Sequence, residues 1–259
     1  SVNMSLGGGE FDNFPKYSGT YSTQLKALAN SGVIVVSASG NGYDGYNTPD
    51  GYVYMGGRLT GVSYPSSDAY SLSIGATFAR AGPYGGWNKD DELVLLPSRQ
   101  SGVVDSIARF SQRGTLSDVF APGVWINASW NDGGHKPING TSMASPQVAG
   151  MVILAQELAV KTLGRRLSFE EFKTLINSSG TTIYDGDDEN DDVINSNQNY
   201  QRIDMVALGE AILALKPPAS HSVTVSAGKT ETLKDFGFVS NSAIQASSSD
   251  DLVVGTSYG

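Results

Sequence analysis

The chain has 259 residues, enough to bury one large core or a core with a small appended module. Its 17 basic against 26 acidic residues give a net charge of −9, which excludes the basic patch that nucleic-acid binding demands. It has no cysteine, so disulfides and thiol catalysis are excluded, and no apolar run is expected to reach the length of a membrane span. The 31 glycines and 39% apolar content fit a turn-rich globular chain rather than a disordered one.

In chain order, Ser1 to Gly9 reads as a strand running into glycines. Thr20 to Ser31 carries Leu25, Leu28 and Ala29 at helical spacing and stops at Gly32. Gly32 to Ala38 is a β-branched apolar run, the pattern of a central parallel strand, and it ends in Ser39-Gly40-Asn41-Gly42. Open α/β sheets place their sites at the carboxyl ends of such strands, although Asn-Gly by itself is equally a turn pair. Gly42 to Tyr64 is long and without period, an insertion loop; Leu72 to Thr77 is the next strand, and Gly82 to Arg99 a second insertion. His135, in Gly133-Gly134-His135-Lys136-Pro137, reads as an exposed histidine at a hairpin tip.

Asn139-Gly140-Thr141-Ser142-Met143-Ala144-Ser145-Pro146 comes next, directly before Val148, Ala149, Met151, Val152, Ile153 and Leu154. That run is apolar nearly all round and predicts a buried helix. Pro146 fits its first turn, which needs no donor there. An isolated Gly-Thr-Ser would be a helix cap. Here Ser142 stands between small residues at a helix start, where unpaired N–H groups and the helix dipole favour a developing negative oxygen. A Gly-x-Ser-x-Gly elbow is ruled out, because Ala144 holds the second glycine position.

Further on, Ser168 with Glu171 three positions later forms a capping box ahead of a stripe of Phe169, Phe172, Leu175 and Ile176. Asp185, Asp187, Glu189 and Asp191 alternate in an acidic run that is either a solvated loop or a calcium site to which Asn195 and Asn197 add carbonyls. It is not an EF-hand, since Asn190 and Ser196 stand where glycine and glutamate belong. Asp204 caps a last helix, Met205 to Leu215, ending at Pro217-Pro218. The Lys216-Pro217-Pro218-Ala219 stretch divides a domain of residues 1–216 from a linker and β-rich module over 217–259. That module carries His221 on its surface and a hairpin around Ala227-Gly228.

The serine string, Ser39-Gly40-Asn41, Ser1-Val2-Asn3-Met4-Ser5-Leu6-Gly7-Gly8-Gly9, Tyr64-Pro65-Ser66, and Phe110-Ser111 through Phe120-Ala121-Pro122-Gly123 all resemble segments of the subtilisin-like serine proteases, in the same order, over about Ser1 to Ala159. The resemblance implies an α/β fold, a doubly wound, mostly parallel sheet with helices on both faces, followed by a short β-rich segment. It implies that Ser142 is the nucleophile of a serine endopeptidase and that Asn41 supplies the oxyanion-hole amide. Ser5, Leu6 and Gly7 would form one edge of a polypeptide-substrate cleft, and Ser37, Ala38, Ser39 and Gly40 the other, with a side-chain slot between them and Ser66 near its floor. It implies a secreted protein.

The same family orders its triad Asp, His, Ser along the chain. No histidine precedes Asn41, and Asp12 lacks the apolar strand context of the family's aspartate. The expectation is therefore a carboxyl-terminal part of a catalytic domain, nearly inert alone, whose Asp and His come from an amino-terminal part of the same protease. The rival expectation is a non-catalytic scaffold of this type, or an adhesin module, in a larger secreted protein.

Overall fold

A computed structural model describes residues 1–43, 60–83, 85–87, 93–95, 101–186, 195–216, 220–224 and 243–247. The chain divides into two compact units, residues 1–213 and 214–259.

The first unit is built on a six-stranded sheet. β1 (Val2–Met4) leads through β2 (Gly8–Asp12) and α1 (Ser22–Asn30) to β3 (Val35–Ala38). β4 (Val62–Tyr64) and β5 (Leu72–Phe78) follow. Two short pairs come next, β6 (Gly82–Pro83) with β9 (Ser101–Gly102), and β7 (Gly85–Trp87) with β8 (Leu93–Leu95). Then come β10 (Val119–Val124), the hairpin β11 (Ile126–Ser129) and β12 (His135–Ile138), and α2 (Thr141–Leu163). α3 (Phe169–Ser178), β13 (Thr181–Tyr184), β14 (Asn199–Arg202) and α4 (Met205–Ala214) complete the order.

The sheet runs β1-β3-β5-β10-β14-β13, with every pairing parallel except that of β13 with β14. β3 and β5 are buried at every position, so both faces of these strands are covered. That is why Ile34, Val35 and Val36 form a continuous apolar run rather than an alternation; burying each contributes about 1.5–3 kcal/mol. α2 lies across β1, β3, β5 and β10 and packs Ala144, Val148, Val152, Ala155 and Ala159 into the main core.

Two expectations for α2 change. Its 23 residues do reach membrane-span length, although its packing is that of a core helix. It is also not buried all round, for Ile153 and Leu154 are 59% and 53% exposed. The helix crosses toward β1, the last strand of the sheet, and Ile153 and Val160 border an open groove of about 400 Å³ with Ser1 and Val33 at that edge. α3 keeps its expected capping box, with Ser168 Oγ accepting from Glu171 N–H and the Glu171 carboxylate from Ser168 N–H. Asp204 accepts from the N–H groups of Val206 and Ala207 and starts α4.

In the second unit, β15 (Ser220–Thr224) and β16 (Ala243–Ser247) pair in parallel, so they are not the two arms of one hairpin. The hairpin expected around Ala227-Gly228 lies outside the described residues, as do residues 44–59 of the insertion expected over Gly42 to Tyr64, whose last three residues instead form β4 paired with β2.

Candidate active site

The carboxyl ends of β1, β3 and β10 meet the amino end of α2. Gly140 N–H donates to Gly123 O at 2.8 Å, and Trp125 N–H to Asn139 Oδ1 at 2.6 Å, which fixes the helix start against the end of β10. Gly140 has φ +151°, a conformation that favours glycine, and it lets the chain turn directly from the hairpin into the helix. Ser142 is the second residue of α2, and its Oγ donates to Ser5 O at 3.2 Å. Ser5 Oγ donates back to Ser142 O at 2.7 Å, and Ser145 Oγ donates to Asn3 Oδ1 at 2.9 Å. The first turn of α2 is thus tied side by side to the end of β1.

Asn41 follows the end of β3 and is exposed. Its Oδ1 accepts from the Thr141 N–H at 2.9 Å and from Thr141 Oγ at 2.8 Å. A backbone N–H can only donate, so the atom facing Thr141 is the carboxamide oxygen and the Nδ2 hydrogens point elsewhere. A Cβ built on Gly140 would stand 3.4 Å from Asn41 Nδ2 and 3.6 Å from Ser142 N. Asn41 Nδ2 and the Ser142 N therefore both lie near one point at the start of α2. Donors aimed at a single point stabilise negative charge that develops there.

The two segments expected as cleft edges follow or end the neighbouring parallel strands β1 and β3. Ser5, Leu6 and Gly7 are exposed at the end of β1. Ser37, Ala38 and Ser39 are buried, with Ser37 Oγ bonded to Ser71 Oγ and Ser39 Oγ to Gln112 O, so these side chains face the fold interior. Gly40 N–H donates to Thr141 Oγ at 3.2 Å. Ser66 is buried, donates to Ser73 Oγ, and borders a cavity of about 200 Å³ beside Asp68, Asp118 and Lys173. The residue that approaches both segments is Ser63 of β4, since a Cβ on Gly7 would overlap Ser63 Oγ and one on Gly40 would lie 3.2 Å from it.

His135 opens β12, is exposed, and pairs with Ser129 at the turn end of the hairpin. Ile138, the last residue of β12, pairs with Ile126; at a strand's rise His135 stands roughly 10 Å further out. Asp12 forms an ion pair with Lys16 at 2.8 Å and accepts from Ser67 Oγ. His221 belongs to β15 of the second unit.

Asp185 was a candidate cation ligand, but its oxygens are already used. Oδ1 pairs with the Arg113 guanidinium, and Oδ2 accepts from Ser196 N–H at 2.7 Å and Ser196 Oγ at 2.6 Å. It therefore does not fit as a calcium ligand. Asp187, Glu189 and Asp191 lie outside the described residues, among which no cluster of metal-ligating side chains occurs.

The sequence places Thr141 at the site only as a lining residue, and it gives no role to Phe11, Ser63 and Gln112, which lie against Gly40. What the sequence does not show for Thr141 is its double bond to Asn41 Oδ1, through N–H and Oγ. For the other three there was no signal, because their neighbours are brought in from distant segments.

A profile of the subtilase family (peptidase S8) matches residues 2–207, and the chain belongs to that family. It is 31% identical over 153 residues to alkaline serine exoprotease A of Vibrio alginolyticus, covering 59% of this chain and 20% of that protein. It is 32% identical over 152 residues to subtilisin-like protease 3 of Pseudogymnoascus destructans, covering 58% of this chain and 26% of that one. The chain thus matches about a quarter or less of the length of these relatives. Among solved structures it is similar in fold to the prenylagaramide maturation protease PagA, with a TM-score of 0.52 at 19% identity over 82% of this chain and 61% of that one.

Proposed function

We propose that this chain carries the nucleophile and oxyanion hole of a subtilisin-type serine endopeptidase acting on polypeptides. The observation that supports the reading is that Asn41 Nδ2 and the Ser142 N both lie near Gly140 at the start of the helix that carries Ser142, with Asn41 Oδ1 held by Thr141. In this reading Ser142 Oγ attacks the scissile carbonyl and gives its proton to a histidine. The oxyanion is held by Asn41 Nδ2–H and the Ser142 N–H. The tetrahedral adduct expels the amine, which takes up the proton, and the resulting acyl-enzyme is hydrolysed by water.

The histidine and its aspartate are proposed to come from an amino-terminal part of the same protease. This rests on the family's triad order and on the place of His135 at the outer end of its hairpin. The chain by itself is then nearly inert. Secretion is proposed from family resemblance alone. A structural calcium held by Asp187, Glu189 and Asp191 remains a proposal tested by melting the protein in calcium and in chelator; an unchanged midpoint removes it.

A serine-reactive fluorophosphonate applied to the full-length protein tests the catalytic reading. Labelling that disappears in Ser142→Ala is expected. Full-length protein that is folded yet never labelled would leave the scaffold reading in its place.

A further inference from the structure

Side chains carried by β2 and β4 lie against the two segments expected as cleft edges. β2 folds back from Gly7 and pairs antiparallel with β4, Gly8 opposite Tyr64 and Asp12 opposite Val62. That turn carries the half-buried ring of Phe11 onto the β3 side of the cleft. A Cβ on Gly40 would lie 3.3 Å from the ring, 3.2 Å from Ser63 Oγ and 3.0 Å from Gln112 Cγ. A Cβ on Gly42 would lie 3.0 Å from the same ring. On the opposite edge, a Cβ on Gly7 would overlap Ser63 Oγ. One hydroxyl therefore touches both edges, with a phenyl ring and a glutamine stem beside it.

The polar groups there are unusual. Ser63 Oγ and both amide atoms of Gln112 are buried without a hydrogen-bond partner among the described residues. A short side chain with a hydroxyl would supply the missing partner, and an alanyl or glycyl residue would fit above it. A leucyl or phenylalanyl side chain would have to push Phe11 aside.

We infer that Phe11 and Ser63 set the substrate preference, so that the side chain on the acyl side of the scissile bond must be small: glycine, alanine or serine. The inference rests on the reading of Ser142 and Asn41 as the catalytic centre.

The test is hydrolysis by the full-length protease of peptides that differ only at that residue. Alanyl and seryl substrates are expected to exceed leucyl and phenylalanyl ones in kcat/KM by about tenfold or more, the range that hydrophobic slots discriminate. Phe11→Ala is expected to raise the phenylalanyl-to-alanyl ratio by about tenfold, and Phe11→Leu, which keeps an apolar side chain against β3, by less. A wild type that prefers leucyl or phenylalanyl peptides, or a ratio unmoved in both variants, overturns the inference. A second arm does not need chemistry: product-like peptide acids ending in Ala or Phe are titrated into Ser142→Ala protein with and without Phe11→Leu. Tighter binding of the phenylalanyl acid with Phe11 in place also overturns it. Unchanged turnover in Ser142→Ala would instead sink the catalytic reading and leave this binding comparison intact.

Discussion

Thr141 grips the carboxamide of Asn41 twice, through its N–H at 2.9 Å and its Oγ at 2.8 Å. The same Thr141 Oγ accepts from Gly40 N–H, so one buried hydroxyl fixes both the amide and the strand end that carries it. An amide held only by water would lose its orientation at the moment charge develops. Thr141→Val keeps the shape and the N–H bond but removes the hydroxyl. The loss of one neutral hydrogen bond, about 0.5–1.5 kcal/mol, predicts a fall of up to about tenfold in kcat of the full-length protease with KM nearly unchanged. Asn41→Ala should cost about 100- to 1000-fold, a magnitude measured on subtilisin itself rather than obtained from this structure. Steady-state kinetics of both variants check this; an effect confined to KM would assign Asn41 to substrate binding.

Arg113 and Asp185 are each about 1% exposed and face one another. The guanidinium also donates to Ala108 O and Ser111 O and lies 4.1 Å from the centre of the Tyr43 ring. The neighbouring Gln112 N–H donates to Gly40 O at 2.9 Å, so the pair anchors the segment that braces the Asn41 strand end. Removing one partner of a buried pair leaves an uncompensated charge, and Asp185→Ala is expected to lose about 3–5 kcal/mol in urea unfolding. Replacing both, as in R113M with D185L, should lose clearly less than the two single changes added together. Additive losses would mean that the two groups do not act as a pair.

Local signals carried much of this fold. The β-branched run of β3, the Ser168–Glu171 capping box and the Pro146 start of α2 each depend on residues a few positions apart. What stayed hidden depends on distant partners. Asp185 in an acidic run reads as solvated or cation-binding because Arg113 lies 72 positions away. Phe11 reads as a loop aromatic until β2 pairs with β4. The exposed flank of α2 is invisible in its composition, since only the order of strands shows that the helix crosses toward the last strand of the sheet. At the site, Ser142 and Asn41 were legible as motifs, whereas Thr141's grip on Asn41 is a contact between segments 100 positions apart.

Gly140 offers a backbone test of the same geometry. Its φ of +151° is one that side chains rarely adopt, and a Cβ there would stand 3.4 Å from Asn41 Nδ2 and 3.5 Å from Met143 Sδ. Gly140→Ala should therefore shift the helix start, at a strain of about 1–3 kcal/mol. Loss of fluorophosphonate labelling in the full-length protein, with a melting midpoint lowered by a few degrees, is the expected result. Labelling at the wild-type rate would show that the turn into α2 is not what aims Ser142.

Two carboxylates of neighbouring segments should respond to pH in opposite directions. Glu171 is held down to about 2 by its bonds to Arg165 and to the Ser168 N–H. Its folded-state value lies below the ordinary 4.5, so its contribution is present above about pH 4.5 and is lost as pH falls toward 2. Asp118 is pushed up by burial, only partly offset by Lys173 at 2.9 Å and by the Ser73 N–H. The folded protein therefore binds that proton more tightly than the unfolded chain, and stability from this group rises as pH falls toward 3.8 and declines as pH rises through the elevated value. Urea midpoints of the wild type, Glu171→Gln and Asp118→Asn between pH 3 and pH 7 separate the two. The advantage of wild type over Glu171→Gln should shrink on acidification, and the difference between wild type and Asp118→Asn should move in wild type's favour over the same interval. Parallel trends in the two comparisons would mean that burial does not govern Asp118.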